Sequence, residues 1–315
     1  MLRVNLETQQ AGPTMTINGK KIAIGGKLLR IAQLDPRFQQ EWFEDVENPE
    51  ILIDALQKSK QLPDIVTFWQ RLPDTEPTFR YPMEWHPIAA LPIKSYSFWW
   101  EKQIDRKARN KIRKAQKKGV IVKPVTFDDR FVRGMASIFN ETPIRQGRHY
   151  LHYGKDFETA KRENGTFLER SQFIAAYCGD ELIGFIKMVY VGRLVSIMQI
   201  LSKASHHERR PTNAMIAKAV ELAVSRDASH LLYCKYVYHR NYSDALTEFK
   251  RRNGFQEDKF PRYFVPLTLQ GRIAVALRLQ LGLAEILPRR VLATLLAARA
   301  KFNSASQGNI LLQRV

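Results

Sequence analysis

Only two cysteines occur in 315 residues, Cys178 and Cys234, and both fall in apolar, strand-like runs. A disulfide framework or a thiolate metal cluster needs more cysteines at tighter spacing, so both read as buried thiols in a reducing compartment. No apolar stretch approaches the ~18 residues that a bilayer-spanning helix needs. The N-terminus lacks the basic segment and apolar run of a secretory leader, so the expected location is the cytoplasm. His206, His207 and His239 lack the spacing and acidic partners of a metal site, and no metal is expected. No repeat of fixed short period is present. Acid is scarce too, and unevenly so. Residues 1–100 hold 11 Lys and Arg against 12 Asp and Glu, a net of −1, whereas residues 101–315 hold 39 against 19, a net of +20. That asymmetry points to a polyanionic partner for the C-terminal two-thirds: nucleic acid, anionic lipid or a phosphorylated cofactor. The plainer alternative is solubility.

What is present is a packed protein. Hydrophobic content of 44% with ample aromatics argues for a core, and the length fits one large domain or two modest ones. Residues 1–18 are polar and read as frayed. A helical pattern runs through Phe38, Trp42, Phe43 and Val46. Six prolines between Pro63 and Pro92 favour short strands and turns, with strands at Ile65–Trp69 and Trp85–Ile93. Phe98 to Lys118 reads as one helix, with Ile104, Ala108, Ile112 and Ala115 as its stripe and Gly119 as its stop. A strand Val120–Val125, a helix Phe131–Phe139, a loop 140–155 and a helix near Phe157–Arg162 follow. Three antiparallel strands come next, Phe173–Cys178, Leu182–Val191 and Leu194–Ser202. The helix Thr212–Arg226 has Ile216, Val220, Ala223 and Val224 on one face. Then come a strand Leu231–Tyr236, a helix Asp244–Arg252 and a strand Tyr263–Leu267. Residues 271–302 are leucine-rich, with Arg272, Arg278, Arg289, Arg290, Arg299 and Lys301 against Glu285 alone. Pro288 splits them into two basic amphipathic helices, suited to an anionic membrane surface or to capping a domain.

Three segments can carry chemistry. Glu208-Arg209-Arg210-Pro211-Thr212-Asn213 follows a strand and opens a helix, a place that holds the phosphates of a cofactor or a nucleic acid. The stretch Glu101–Lys118 carries nine positive and two negative charges. Arg109, Arg113, Lys114 and Lys117 are its candidate polyanion-binding residues, against the alternative of a solvated surface helix. The loop 140–155 gathers Glu141, Arg145, Arg148, His149, Tyr150, His152, Tyr153 and Lys155. Glu141 and the histidines are the residue types that can accept a proton; a polar loop packed by its own aromatics is the alternative.

The run Arg109-Asn110-x-Ile112-Arg113-Lys114-Ala115-x-x-x-Gly119-Val120 leads into a strand, and Phe249-Lys250 precedes Asn253-Gly254-Phe255. Together they resemble the Fem-type branch of the GNAT acyltransferase superfamily, which includes peptidoglycan-bridge aminoacyl transferases. The resemblance implies an α/β fold, with a mixed, mostly antiparallel twisted sheet flanked by helices. It implies a variable N-terminal region over residues 1–97, with a degenerate GNAT-like half as one reading of it, an acyltransferase domain over 98–268 and a basic helical tail over 269–315. The implied reaction moves an acyl group from acyl-CoA or acetyl-CoA to an amine, on a small molecule or a cell-envelope precursor. An aminoacyl-tRNA donor is the alternative within the branch, making tRNA a partner. A non-catalytic protein docking on membrane or nucleic acid is the alternative outside it, with peripheral contact at the inner membrane face. The superfamily's cofactor signature, (Gln/Arg)-x-x-Gly-x-(Gly/Ala), falls on Arg209 to Ala214, with Thr212 in place of the first glycine. Arg209, Arg210, Thr212, Asn213 and Ala214 are thus implied cofactor contacts, and amides near Ile200 and Leu201 an implied oxyanion site. Arg145, Arg148, His149, Tyr150 and Tyr153 would border the acceptor, with Glu141 and Lys250 catalytic. Lys250 stands where many acetyl-CoA enzymes place a tyrosine, and a lysine is a poor general acid unless burial lowers its pKa.

Overall fold

A computed structural model describes residues 14–35, 46–72, 74–145, 148–237 and 244–281. The helical pattern through Phe38, Trp42 and Phe43, His239, the side chain of Arg148 and the leucine-rich segment beyond Leu281 lie outside the described residues. The chain forms two compact units, one of residues 1–70, 78–84 and 262–315, the other of 71–77 and 85–261.

In the first unit the strands Thr14–Ile17 and Lys20–Gly25 form a hairpin. Its turn residues Asn18 and Gly19 both have positive φ (47° and 73°), the backbone that an Asn-Gly hairpin turn takes up. Lys20–Gly25 pairs antiparallel with Ile31–Leu34, which runs parallel to Ile65–Trp69. Ile65–Trp69 in turn pairs antiparallel with residues 262–266. The helix Pro49–Gln57 starts where the Asn48 side chain accepts from the Glu50 amide, and it buries Leu52, Ile53 and Leu56. These pack with Ile22, Ile24, Leu34, Val66, Phe68 and Tyr263 into one core. The Tyr263 hydroxyl donates to Gln70 Oε1 at 2.7 Å and accepts from the Thr78 amide at 3.0 Å, so the buried ring has its polar end satisfied.

The second unit has a six-stranded sheet in the order Met83–Pro92, His230–Lys235, Leu194–Ser202, Glu181–Val191, Ser171–Cys178 and Val120–Val125. All neighbours are antiparallel except Leu194–Ser202 and His230–Lys235. Alternation along the strands divides the core between two faces. Ile174 and Ala176 face a cluster holding Ile112 and Ala115 of the helix Arg106–Lys117 and Met215, Ile216 and Val220 of the helix Pro211–Ser225. Phe173 and Ala175 face Phe131, Val132, Met135 and Phe139 of the helix Asp129–Phe139. Pro124, which has no amide to donate, sits in the edge strand, where a proline is tolerated.

Two expectations are corrected. Phe98 to Lys118 is not one helix: a short turn at Tyr96–Phe98 runs into a π-helical turn over Trp99–Gln103, and Ile104 is extended (ψ 137°). A fresh helix starts at Arg106 because the Asp105 side chain accepts from the Lys107 amide. Burial of Trp99, whose indole donates to the Asn253 carbonyl at 2.9 Å, fixes the turn that breaks the pattern. The cysteines are free and half-buried rather than fully buried.

The helix Leu269–Ala276 yields a prediction. Its Gly271 lies against the Ile65–Trp69 strand, and a Cβ there would meet the Asp64 carbonyl oxygen at 2.0 Å. Gly→Ala inside a helix ordinarily stabilises by up to ~1 kcal/mol. Here the backbone clash dominates, and Gly271→Ala is expected to lower stability by about 1–3 kcal/mol in chemical denaturation. A neutral or stabilising result would show that the helix is free to shift outward.

Candidate functional site

The strands Leu194–Ser202 and His230–Lys235 pair over three positions, Leu194–His230, Val195–Leu231 and Ser196–Leu232. Beyond them no pairing continues among the described residues, where the Leu194–Ser202 backbone from Ile197 onward has a strand partner, Glu181–Val191, on one side only. The cause lies in the shorter strand. Against Met83–Pro92 its register jumps between Leu232 and Lys235, and Cys234 carries φ +50°. One extra residue makes a bulge that bends the strand away. Ile200 and Leu201 lie on the open stretch.

At the end of the open strand the chain turns through His207–Arg209 into the helix Pro211–Ser225. Arg210 occupies the N-cap position in left-handed backbone (φ 58°, ψ 40°), Pro211 opens the helix, and no side chain caps it. A proline there costs nothing, because that amide would be unpaired anyway. The Thr212 hydroxyl lies 3.2 Å from Ser202 Oγ, while Asn213 and Ala214 are buried. Asn213 donates to Asn253 Oδ1 at 3.3 Å, and Asn253 Nδ2 donates to the Phe249 carbonyl at 2.7 Å. This buried pair ties the start of one helix to the end of another, Ala245–Arg252. Cations collect around it. Burial, and then the charges of Arg210 and Arg252, push the Lys111 ammonium below its ordinary pKa. Arg209 donates to the Lys118 carbonyl at 2.8 Å, and Lys114 pairs with Glu208 at 3.4 Å. Arg113 lies over Trp100, Arg109 donates to the Trp100 carbonyl, and Lys117 is exposed. An uncapped helix start beside mutually repelling cations is an arrangement that a phosphate relieves.

Lys250 is wholly buried. Its ammonium donates to the Lys235 carbonyl at 2.5 Å, just past the bulge, and lies 4.8 Å from the Tyr233 ring centre. Burial pushes its pKa down to about 8, with partial compensation by Cys234 and Asp244. The condition on a lysine acting as a proton donor near neutral pH is met.

The loop residues divide. Glu141 accepts from the Ala204 amide (2.5 Å), the Ser205 amide (2.9 Å), Ser205 Oγ (2.5 Å) and Arg145 (3.2 Å). Burial raises its pKa, but the Ser205 hydroxyl, the two amides and Arg145 outweigh it and hold the carboxyl below the usual range. Arg145 also donates to the carbonyls of Ser202 and Ile138, both at 3.0 Å, and lies 4.1 Å from the Tyr150 ring centre. Among the described residues, the Tyr150 hydroxyl and Arg145 Nε are buried without a hydrogen-bond partner. Glu141, Arg145 and Tyr150 thus form one cluster fastened to the end of the open strand. His149 and Tyr153 face solvent and are not part of it. Among the described residues, no three His, Cys, Asp or Glu side chains gather as a metal would require.

No family model matches the sequence, and no curated protein matches it. Solved structures do. FemX aligns with a TM-score of 0.57 at 10% identity, over 85% of this chain and 95% of its own. The C-terminal domain of a protein named for lysylphosphatidylglycerol synthetase, from Agrobacterium fabrum, aligns with 0.54 at 10% identity, over 84% and 86%. L-PGS from Bacillus licheniformis aligns with 0.51 at 10% identity, over 88% and 94%. The chain has the Fem-related GNAT-like fold. In this GNAT-like fold the parted strands, the uncapped helix and Lys250 lie within one unit.

Three basic residues in unusual surroundings escaped the sequence reading. Lys111 and Arg252 were hidden in runs dense in other basic residues. Lys187 sat in an apolar strand with no motif to flag it. Wholly buried, it donates to the carbonyls of Asn164 (2.9 Å) and Thr166 (2.5 Å) and to Thr166 Oγ1 (2.9 Å). Burial lowers its pKa to about 7.

Both lysines make stability depend on pH in a determinate sense. Each is pushed down from 10.5, to about 7 for Lys187 and about 8 for Lys250. Between those values and 10.5 the unfolded chain binds more protons than the folded one, so stability rises with pH across that window. The limit is ~1.4 kcal/mol per pH unit for each group. Urea unfolding at increasing pH from neutral is expected to show higher midpoints, with a smaller rise in Lys187→Met. A midpoint that falls over this range, or an unchanged slope in the variant, contradicts the assignment.

Proposed function

We propose that the chain is an N-acyltransferase, moving an acyl group from acyl-CoA to an amine. The observation that carries this reading is the uncapped, left-handed start of the helix Pro211–Ser225 among Lys111, Arg210 and Arg252, at the mouth of the parted strands. The amides of Thr212 and Asn213 and the side chains of Arg209 and Arg210 take the donor's phosphates, with Ala214 leaving room beside them. The acyl carbonyl lies along the open strand, where amides near Ile200 and Leu201 hold the oxygen as negative charge develops. The neutral amine attacks the carbonyl carbon, the C–N bond forms, the nitrogen releases its extra proton to solvent, and the C–S bond breaks. Lys250, with its pKa near 8, donates to the leaving thiolate and regains its proton from solvent. Glu141 is a positioning group in this scheme, because its oxygens already accept from four donors. It holds Arg145 and Tyr150 beside the acceptor, whose class is a small-molecule amine or a cell-envelope precursor.

A second donor is favoured by one specific observation. The exposed side of the helix Arg106–Lys117 presents Arg106, Lys107, Arg113 and Lys117, and it is joined to the helix start by the Arg209–Lys118 and Lys114–Glu208 contacts. A basic row of that length suits the backbone of an aminoacyl-tRNA better than the few phosphates of a coenzyme.

Isothermal titration with acetyl-CoA and longer acyl-CoAs separates the two. Saturable binding is expected, weakened about tenfold or more in Arg210→Ala, the scale of one charged hydrogen bond. No heat with any acyl-CoA, together with tRNA binding that falls steeply with salt and vanishes when Arg113, Lys114 and Lys117 are reversed, assigns the donor to tRNA instead.

A further inference from the structure

The helix Leu269–Ala276 is inside out. It buries its smallest residues, Gly271 and Ala274, against the core that holds Ile31, Ile65 and Phe264. Its large apolar residues point outward: Leu269 is 73% exposed, Ile273 52% and Leu277, just past its end, 61%. These lie at fourfold spacing, so they form one stripe. Gln270 donates to the carbonyl of Leu28, which places Leu28, 88% exposed, beside the stripe's first residue. Singly exposed leucines need no explanation, but a contiguous apolar stripe on a helix that buries Gly and Ala does.

The charges around the stripe select its occupant. Arg272 is exposed on the helix between Leu269 and Ile273, and Lys27 is exposed next to Leu28. No Asp or Glu occurs in residues 26–30 or 269–281, and the acid that Arg278 meets, Glu84, is already paired with it at 2.7 Å. The chain beyond Leu281 continues the same composition, with five Lys and Arg against one Glu over residues 282–315. Apolar side chains interleaved with exposed cations match the boundary between acyl chains and phosphate headgroups.

We propose that this face lies on an anionic lipid bilayer, with Leu28, Leu269, Ile273 and Leu277 entering the interface and Lys27 and Arg272 meeting the lipid phosphates. The stripe is too short to cross a bilayer, and no described helix is long and apolar enough to do so; the contact is with the surface. The surface contact is independent of the acyl-transfer reading and stands or falls without any measurement of turnover.

The test uses the full chain and sedimented vesicles, of phosphatidylcholine alone or mixed with phosphatidylglycerol. Binding is expected to the mixed vesicles and to be weak on phosphatidylcholine. A Leu28→Ser, Ile273→Ser, Leu277→Ser variant keeps every charge and alters only exposed positions, and it is expected to bind at least about tenfold more weakly. Ile273→Trp adds an emission readout: its fluorescence is expected to shift to the blue on mixed vesicles and to be quenched by brominated acyl chains. Unchanged binding by the triple variant would assign the attraction to charge elsewhere and overturn the proposal. So would absence of binding, absence of quenching, or a dimer in light scattering that the triple variant abolishes, which would give the face to a second copy.

Discussion

One extra residue in the strand His230–Lys235 governs the second unit. With Cys234 in left-handed backbone, the strand leaves its parallel neighbour after three paired positions. Everything assigned to the site follows from that parting. The open edge of Leu194–Ser202 exists because its partner has bent away, and the Lys235 carbonyl, no longer part of a regular ladder, becomes the acceptor for buried Lys250. A straight strand would close the edge by hydrogen bonding and leave Lys250 to be buried without a partner, at a cost no protein of marginal stability would carry.

Two kinds of interaction then hold the opening. The Asn213–Asn253 pair and the Trp99 indole fasten the helix start to the end of Ala245–Arg252, through bonds between neutral groups that draw on none of the surrounding cations. Glu141 and Arg145 fasten the loop on the other side to the Ser202–Ser205 backbone. The site is therefore held largely by hydrogen bonds, while Arg210 and Arg252 still press on the Lys111 ammonium, even though Arg252 is paired with Glu248 at 2.6 Å.

Much of the fold was legible because periodicity and turn chemistry are local. Ile65–Trp69, Val120–Val125 and Leu194–Ser202 appear with the bounds their patterns gave, and the turns at Gly179 and Gly192 have the positive φ that glycine invites. What failed was non-local. The break at Ile104 is enforced by a Trp99–Asn253 bond across 154 residues, and no window of sequence contains both partners. The Cys234 bulge gave no signal, since cysteine is not a residue that favours left-handed backbone. In the site, the helix start at Pro211 was legible from its proline and basic neighbours. The emphasis on Glu141 as a proton acceptor overlooked the two amides that claim it, and backbone donors carry no mark in a sequence.

Those two amides have a consequence for how the loop 140–155 can be altered. Two of the donors to Glu141 are main-chain amides, of Ala204 and Ser205, which persist whatever side chains those positions carry. The loop's anchorage is thus largely decoupled from local side-chain identity. Diversifying Ala204 and the outward-facing His149 and Tyr153 should change the exposed surface around this loop while the clasp beneath stays shut. The protein has, in effect, a replaceable lining on a fixed frame.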